Sequence, residues 1–311
     1  MKLKLGFFLP HLPKDIFENM AVQAEAAGFD YICCDDHLMS PFLSKGSEGL
    51  GCYEAWTAMS YLAGKTEKIV LSHMVLVPAF RRPAVLANMA ATLDVLSGGR
   101  LILTVGAGWY RREFEAYNLP WEKHGARIRR EREAIQVIRA LWSGQCVDFD
   151  GEFYNLKKAE LNPRPVQKPA PPIWVAGDSK PSMELAAELG DGWLMHGHAP
   201  EEIERMVSKI RPMLGDRVDD FTIASAHAVV MDTDEKAADE KLHRLIPKET
   251  WDLFMTADIK KEIRSKISGS SEQCLQRIKE YAQAGINSLT LIFFDPQDVN
   301  KFVSEILPEL R

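Results

Sequence analysis

Short apolar runs and longer amphipathic stretches alternate along the whole 311-residue chain. The apolar runs cover residues 3–9, 29–34, 69–77, 100–105, 172–176, 192–196, 221–231 and 288–294. They are near-continuous rather than alternating, as expected of strands buried on both faces of a parallel sheet. Between them the spacing turns helical. "DIFENMAVQAEAAG" predicts a helix with Asp15 as N-cap and Gly28 as its stop. "PAVLANMAATLDVLSGG" predicts another, from Pro83 at the first helical position to Gly98-Gly99. "SSEQCLQRIKEYAQAG" predicts a third, whose capping box is left open between Ser270 and Ser271.

Eight strands alternating with helices predict an α/β fold, a closed TIM (β/α)8 barrel forming one domain over residues 1–311. The competitor, an open doubly wound sheet, would place a G-x-G-x-x-G turn after the first strand, where "GFFLPHLPKD" has none. Two segments exceed what a plain crossover needs. Residues 145–172, after strand four, hold a hairpin signal at Asp150-Gly151 and a proline-rich approach to strand five. Residues 232–270, after strand seven, are charged and helical in spacing. Insertions of this kind shape a site or an interface.

Composition narrows the partners. A net charge of −6 disfavours nucleic acid and anionic membrane, whose phosphates repel it. No apolar run reaches the roughly 18 residues of a membrane span, and the start, "MKLKLGFFLPHLPKD", is broken by Pro10 and does not read as a signal peptide. Five cysteines without a C-x-x-C pair predict reduced thiols and a cytoplasmic location.

Barrel chemistry collects at the C-terminal strand ends. Here those ends carry Pro10-His11, Asp35-Asp36-His37, "SHMVLVPAFRRP", "GAGWYRRE", "AGDSKPS", "MHGH" and "FFDP". A metal hydrolase would want an H-x-H pair on strand one, which supplies only His11; "HGH" at 196–198 lies on strand six. We therefore expect no metal. "AGDSKPS" is a strand-to-helix turn whose backbone N–H groups can face an anion, and "GAGW" lets a flat ligand approach the backbone. One planar, phosphate-bearing ligand accounts for both turns.

Read in order, the motifs resemble the luciferase-like monooxygenase superfamily of flavin and deazaflavin barrels. The carriers are "AEAAGFDYICCDDH", "KIVLSHMVLVPAFRRPAVLANMAATLDVLSGGRLILTVGAGWYRREFEAYNLP", "IRALWSGQCVDFDGEFYNL", "PRPVQKPAPPIWVAG", "AAELGDGW" and "RIKEYAQAGINSLTL", spanning essentially the whole chain. Within that superfamily the sequence looks most like the branch that uses coenzyme F420, with FMN as the alternative cofactor. The resemblance implies hydride transfer between the cofactor and a small organic substrate: an alcohol, a pterin-linked one-carbon unit or an unsaturated carbonyl. The rival readings are an FMN-dependent monooxygenase using O2 and a non-catalytic flavin-binding protein. A homodimer through the helices near strands one to three is expected by resemblance only.

The resemblance also assigns residues. Asp36-His37 matches the Asp-His pair ending strand two, with His37 as general acid/base and Asp36 orienting it or meeting the ring edge. Met74–Val75 matches a non-prolyl cis peptide beneath the ring. Gly106, Gly108 and Trp109 line the ring or substrate pocket; Ala176, Gly177, Asp178 and Ser179 match the phosphate turn, with His196 nearby. The sugar-phosphate dehydrogenases of the branch place a catalytic Glu where this chain has Trp109. Glu113, one helical turn later, is the candidate replacement, and equally reads as a helix-surface acid. A Trp that often follows the Asp-His loop is not evident in "LMSPFLSKG". Arg81 and Arg82 are read either as partners of an anionic cofactor tail or as a solvated basic pair.

Overall fold

The computed structural model describes residues 3–39, 52–245 and 265–311. Eight strands form the barrel: β1 (Lys4–Phe8), β2 (Tyr31–Cys34), β3 (Val70–His73), β4 (Leu103–Val105), β5 (Ile173–Ala176), β6 (Gly192–His196), β7 (Thr222–Met231) and β8 (Ser288–Phe293). All neighbours are parallel, in the order β3-β2-β1-β8-β7-β6-β5-β4. The ring closes between β3 and β4, where Leu71 pairs Leu101 and Leu76 pairs Val105. The predicted barrel is therefore present.

The crossovers are helices: α1 (Lys14–Ala27), α2 (Ala55–Ala63), α3 (Pro83–Ser97), α4 (Arg111–Ala116), α5 (His124–Trp142), α6 (Lys180–Leu189), α7 (Pro200–Leu214), α8 (Glu235–Leu245) and α9 (Ser271–Gln283). Asp15 is not the cap of α1. The helix begins one residue earlier, the carbonyl of Pro13 receives the N–H groups of Ile16 and Phe17, and Asp15 is an acid of the first turn. There its charge complements the helix dipole. Gly28 and Gly98 end α1 and α3 in the left-handed conformation. Ser270 resolves the open cap of α9: its hydroxyl accepts from Gln273 N–H, and the Gln273 side chain accepts from Ser270 N–H.

The barrel axis is filled by Tyr31, Ile102, Trp174, Leu194, Ala224, Ala226 and Ile292. At the N-terminal end of the strands the Tyr31 ring crosses the floor edge-on to Trp174, with centroids 5.7 Å apart. Its hydroxyl is within 2.7 Å of Thr290 Oγ1 and 3.0 Å of Ser288 Oγ. Gly6 makes this possible, because a Cβ there would overlap the Tyr31 ring. Above the plug, Phe8, Met74, Val75 and Ala176 pack on it part-exposed, forming a ledge at the mouth.

The first insertion holds the expected hairpin, Val147–Asp150 against Asn155–Ala159. Its turn is fastened to α5 by Glu133, which accepts N–H bonds from Glu152, Phe153 and Tyr154 at 2.7, 2.9 and 3.2 Å. The proline-rich approach is held by fully buried Asp94, which accepts from Val166 N–H, Gln167 N–H and the Gln167 amide at 2.6–3.0 Å. In the second insertion, α8 is tied to the end of β8 by Lys241, whose ammonium reaches Asp298 at 2.6 Å and Asp295 at 2.8 Å. Ile267–Gly269 adds a short parallel strand beside β7. The remainder of that insertion, 246–264, lies outside the described residues, as does most of the "LMSPFLSKG" loop.

Candidate functional site

The end of β2 turns its polar residues in different directions. Asp35 Oδ1 accepts from His37 N–H at 3.2 Å and lies 2.8 Å from Nε2 of His11. Tyr53 N–H points at His11 Nδ1, 3.1 Å away. A backbone N–H can only donate, so Nδ1 carries the lone pair and Nε2 carries the proton given to Asp35. His11, Asp35 and Cys52 stand within metal-ligand reach of one another. With both nitrogens of His11 engaged, no imidazole lone pair is left for an ion there. Burial alone would raise the Asp35 carboxyl; the hydrogen bond and charge of His11, together with the charge and backbone N–H of His37, outweigh it and bring the group below its ordinary value. The Cys52 thiol is pushed up to about 12 by burial and by the charges of Asp35 and Glu113, so it stays protonated.

Asp36 does not orient the imidazole, contrary to expectation. It is 3% exposed, and its carboxylate accepts from both Arg81 Nη atoms at 2.6 and 2.7 Å and from Val77 N–H at 2.9 Å. Arg81 is correspondingly neither a tail-binding nor a solvated cation. Its half-buried side chain makes a bidentate pair with Asp36 and a second bond to Glu54, the N-cap of α2. Two carboxylates around one guanidinium lock β2, β3 and α2 together at the mouth. Arg82 stands at the N-cap of α3.

The imidazole of His37 is held instead by Glu113. This residue sits in the first turn of α4 yet is only 1% exposed, which removes the helix-surface reading. Its carboxylate lies 3.1 and 3.2 Å from His37 Nδ1 and accepts Leu38 N–H at 3.0 Å. Burial would lower the imidazole; the Glu113 bond and the charges of Asp35, Glu113 and Asp36 outweigh it and raise the group above its ordinary 6.5. Trp109 stands edge-on to the ring at 5.5 Å and is 54% exposed, and Tyr110 flanks it at 6.1 Å. An exposed indole thus stands beside an imidazole that is paired with a buried carboxylate.

The Met74–Val75 peptide is cis. It lies between regular β3 and the Leu76–Val105 bridge and puts both side chains on the ledge. Gly106 presses against it, since a Cβ there would stand 2.6 Å from Val75 Cγ2. Gly108, with φ 78°, packs on Phe114 with no room for a Cβ. The glycines thus hold the β4 turn tight against its surroundings and leave bare backbone at the rim.

Ala176, Gly177, Asp178 and Ser179 form the turn from β5 into α6. Ser179 caps α6, accepting from Ser182 N–H, and its Oγ lies 3.2 Å from His124 Nε2 at the start of α5. The Ser179 and Lys180 N–H groups, having no carbonyl one turn back, face out of the helix start. Backbone donors, the positive helix end and an imidazole make a donor set suited to an anion. His196 is exposed at the end of β6 and donates its backbone N–H to Asp178 Oδ1 at 3.3 Å. The predicted residues thus assemble at one mouth, with the role given to Asp36 passing to Glu113. Sequence reasoning missed Asp35-His11 as a supporting pair, and His124 and His198 beside the turn; the "HGH" repeat was the available signal for the last.

Residues 13–288 match the family model described as luciferase-like monooxygenase. An FMNH2-dependent dimethylsulfone monooxygenase of Pseudomonas putida is 30% identical, over 72% of this chain and 60% of that protein. An F420-dependent glucose-6-phosphate dehydrogenase of Amycolatopsis mediterranei (strain U-32) is 28% identical over 96% of this chain and 95% of that one. Among solved structures, an F420-dependent secondary alcohol dehydrogenase in complex with an F420-acetone adduct superposes with a TM-score of 0.85 at 25% identity, covering both chains in full.

Proposed function

The chain belongs to the luciferase-like monooxygenase family, and from that premise we propose that it is an oxidoreductase moving a hydride between coenzyme F420 and a small organic substrate. The observation that carries the reading is the His37–Glu113 pair: a buried carboxylate on the Nδ1 side of an imidazole at the barrel mouth.

The cofactor, when bound, supplies the carbon that gives or accepts hydride. The ledge of Met74 and Val75, the backbone rim of Gly106 and the 176–179 turn would hold it, the turn taking its phosphate. His37 handles the proton. With Nδ1 committed to Glu113, Nε2 gives a proton to the substrate oxygen as a carbonyl is reduced, and takes it back when an alcohol is oxidised. Glu113 stabilises the charged ring in either direction and fixes its orientation. Trp109 walls the substrate from the outer side. Glu113 therefore supplies from α4 a carboxylate that the resembling sugar-phosphate dehydrogenases carry at the position of Trp109.

The full-length similarity to F420-dependent relatives favours this cofactor. The identity to an FMNH2-dependent enzyme supports the second reading, a monooxygenase on the same ledge. Titration with F420 and with FMN, followed by anaerobic turnover with secondary alcohols and enones, separates them. Hydride transfer without oxygen supports the first. Tight binding of reduced FMN with oxygen-dependent turnover alone would refute it.

A further inference from the structure

An acid in an anion cradle needs an explanation. Asp178 occupies the 176–179 turn, directly before the cap of α6, and its side chain is 37% exposed. A carboxylate there would repel a phosphate drawn by the Ser179 and Lys180 N–H groups. Among the described residues, two groups face it. His196 N–H donates to Oδ1 at 3.3 Å, and Nε2 of His198 lies 3.0 Å from Oδ2. The other nitrogen of His198 faces Glu202 Oε2 at 3.3 Å, and the ring is nearly buried, with 7% of the side chain exposed. The ring thus stands between two carboxylates, within ion-pair distance of Asp178 and hydrogen-bonded to Glu202.

We infer that His198 is a positioning residue for the cofactor's phosphate: it holds the Asp178 carboxylate and offsets its charge, so that the turn remains attractive to an anion. The inference rests on the phosphate role proposed for 176–179. A purely structural pair would brace β6 and α7 against the turn and affect every ligand of the barrel alike. A charge-offsetting pair affects only ligands that carry the phosphate.

The test is equilibrium binding, read by fluorescence, of FMN against riboflavin and of F420 against its phosphate-free deazaflavin riboside. The proteins are wild type, His198→Ala, Asp178→Asn and the double variant, with thermal melting to confirm folding. For His198→Ala we expect the phosphate-bearing ligands to weaken tenfold or more, and the phosphate-free ones to stay within about twofold. Asp178→Asn in the same chain should restore the phosphate preference, because the repelling charge is gone. Equal weakening of both ligand types, or no rescue in the double variant, overturns the inference and leaves the turn's role standing. A wild type with no preference for the phosphate-bearing ligands overturns both.

Discussion

Glu113 reaches His37 across 76 residues of sequence, placing a buried carboxylate oxygen 3.1 Å from Nδ1. That bond makes a specific kinetic claim. Glu113→Gln keeps the shape and loses the charge, and should lower turnover by about 10²–10³-fold, within the usual contribution of a positioned acid-base group. The carboxylate raises the imidazole, so the protonated donor persists above the ordinary histidine range. In the reducing direction activity should fall as pH rises through that raised value. In Glu113→Gln this falling limb should move to lower pH; an unmoved limb in a pH–rate profile would show that another group is titrating.

Trp109→Ala tests the wall. With the indole gone, KM for apolar substrates should rise several-fold while kcat changes little, the signature of lost uniform binding. Cofactor affinity measured alongside should move less than KM.

Arg81 answers to a stability measurement. Arg81→Met strands Asp36 at 3% exposure with two of its three donors gone. Removing one partner of a buried ion pair costs about 3–5 kcal/mol. Urea unfolding should show a loss of that size, largely recovered when Asp36→Asn is added.

Glu131 predicts a pH slope. It is 2% exposed on α5, neither carboxylate oxygen has a hydrogen-bond partner among the described residues, and burial raises it from 4.5 to about 8. A folded value above the unfolded one means the unfolded chain releases this proton first. The neutral acid therefore costs nothing extra below about pH 4.5, and stability is lost progressively up to about pH 8. Between pH 6 and pH 9, wild type should lose on the order of 2–3 kcal/mol more stability than Glu131→Leu. Parallel stability curves for the two proteins would contradict this.

The barrel was legible because parallel strands buried on both faces read as apolar runs, and helix-ending glycines mark the crossovers. The family-like motif "TLDVLSGGR" proved to be architecture. Asp94 holds the approach to β5, and Arg100 ties the start of β4 to the carbonyls of Ala63, Thr66 and Ile69. The site was half legible. Asp36 and His37 are adjacent in sequence, so pairing them was natural. Adjacent residues past a strand end point opposite ways, however, and Asp36 went to Arg81 while His37 met Glu113. Helix spacing alone left Glu113 open between a catalytic and a surface acid; only the fold of α4 against the β2 loop buries it. Asp15 failed as a cap because a proline carbonyl preceding it took the first-turn donors.

The Tyr31 ring lying across the floor edge-on to Trp174 has one further consequence. Among the described residues, a barrel stoppered at its base leaves the C-terminal rim as the way in. Coenzyme, reactant and product must all use the same rim, so whichever seats deepest is obliged to arrive first and depart last.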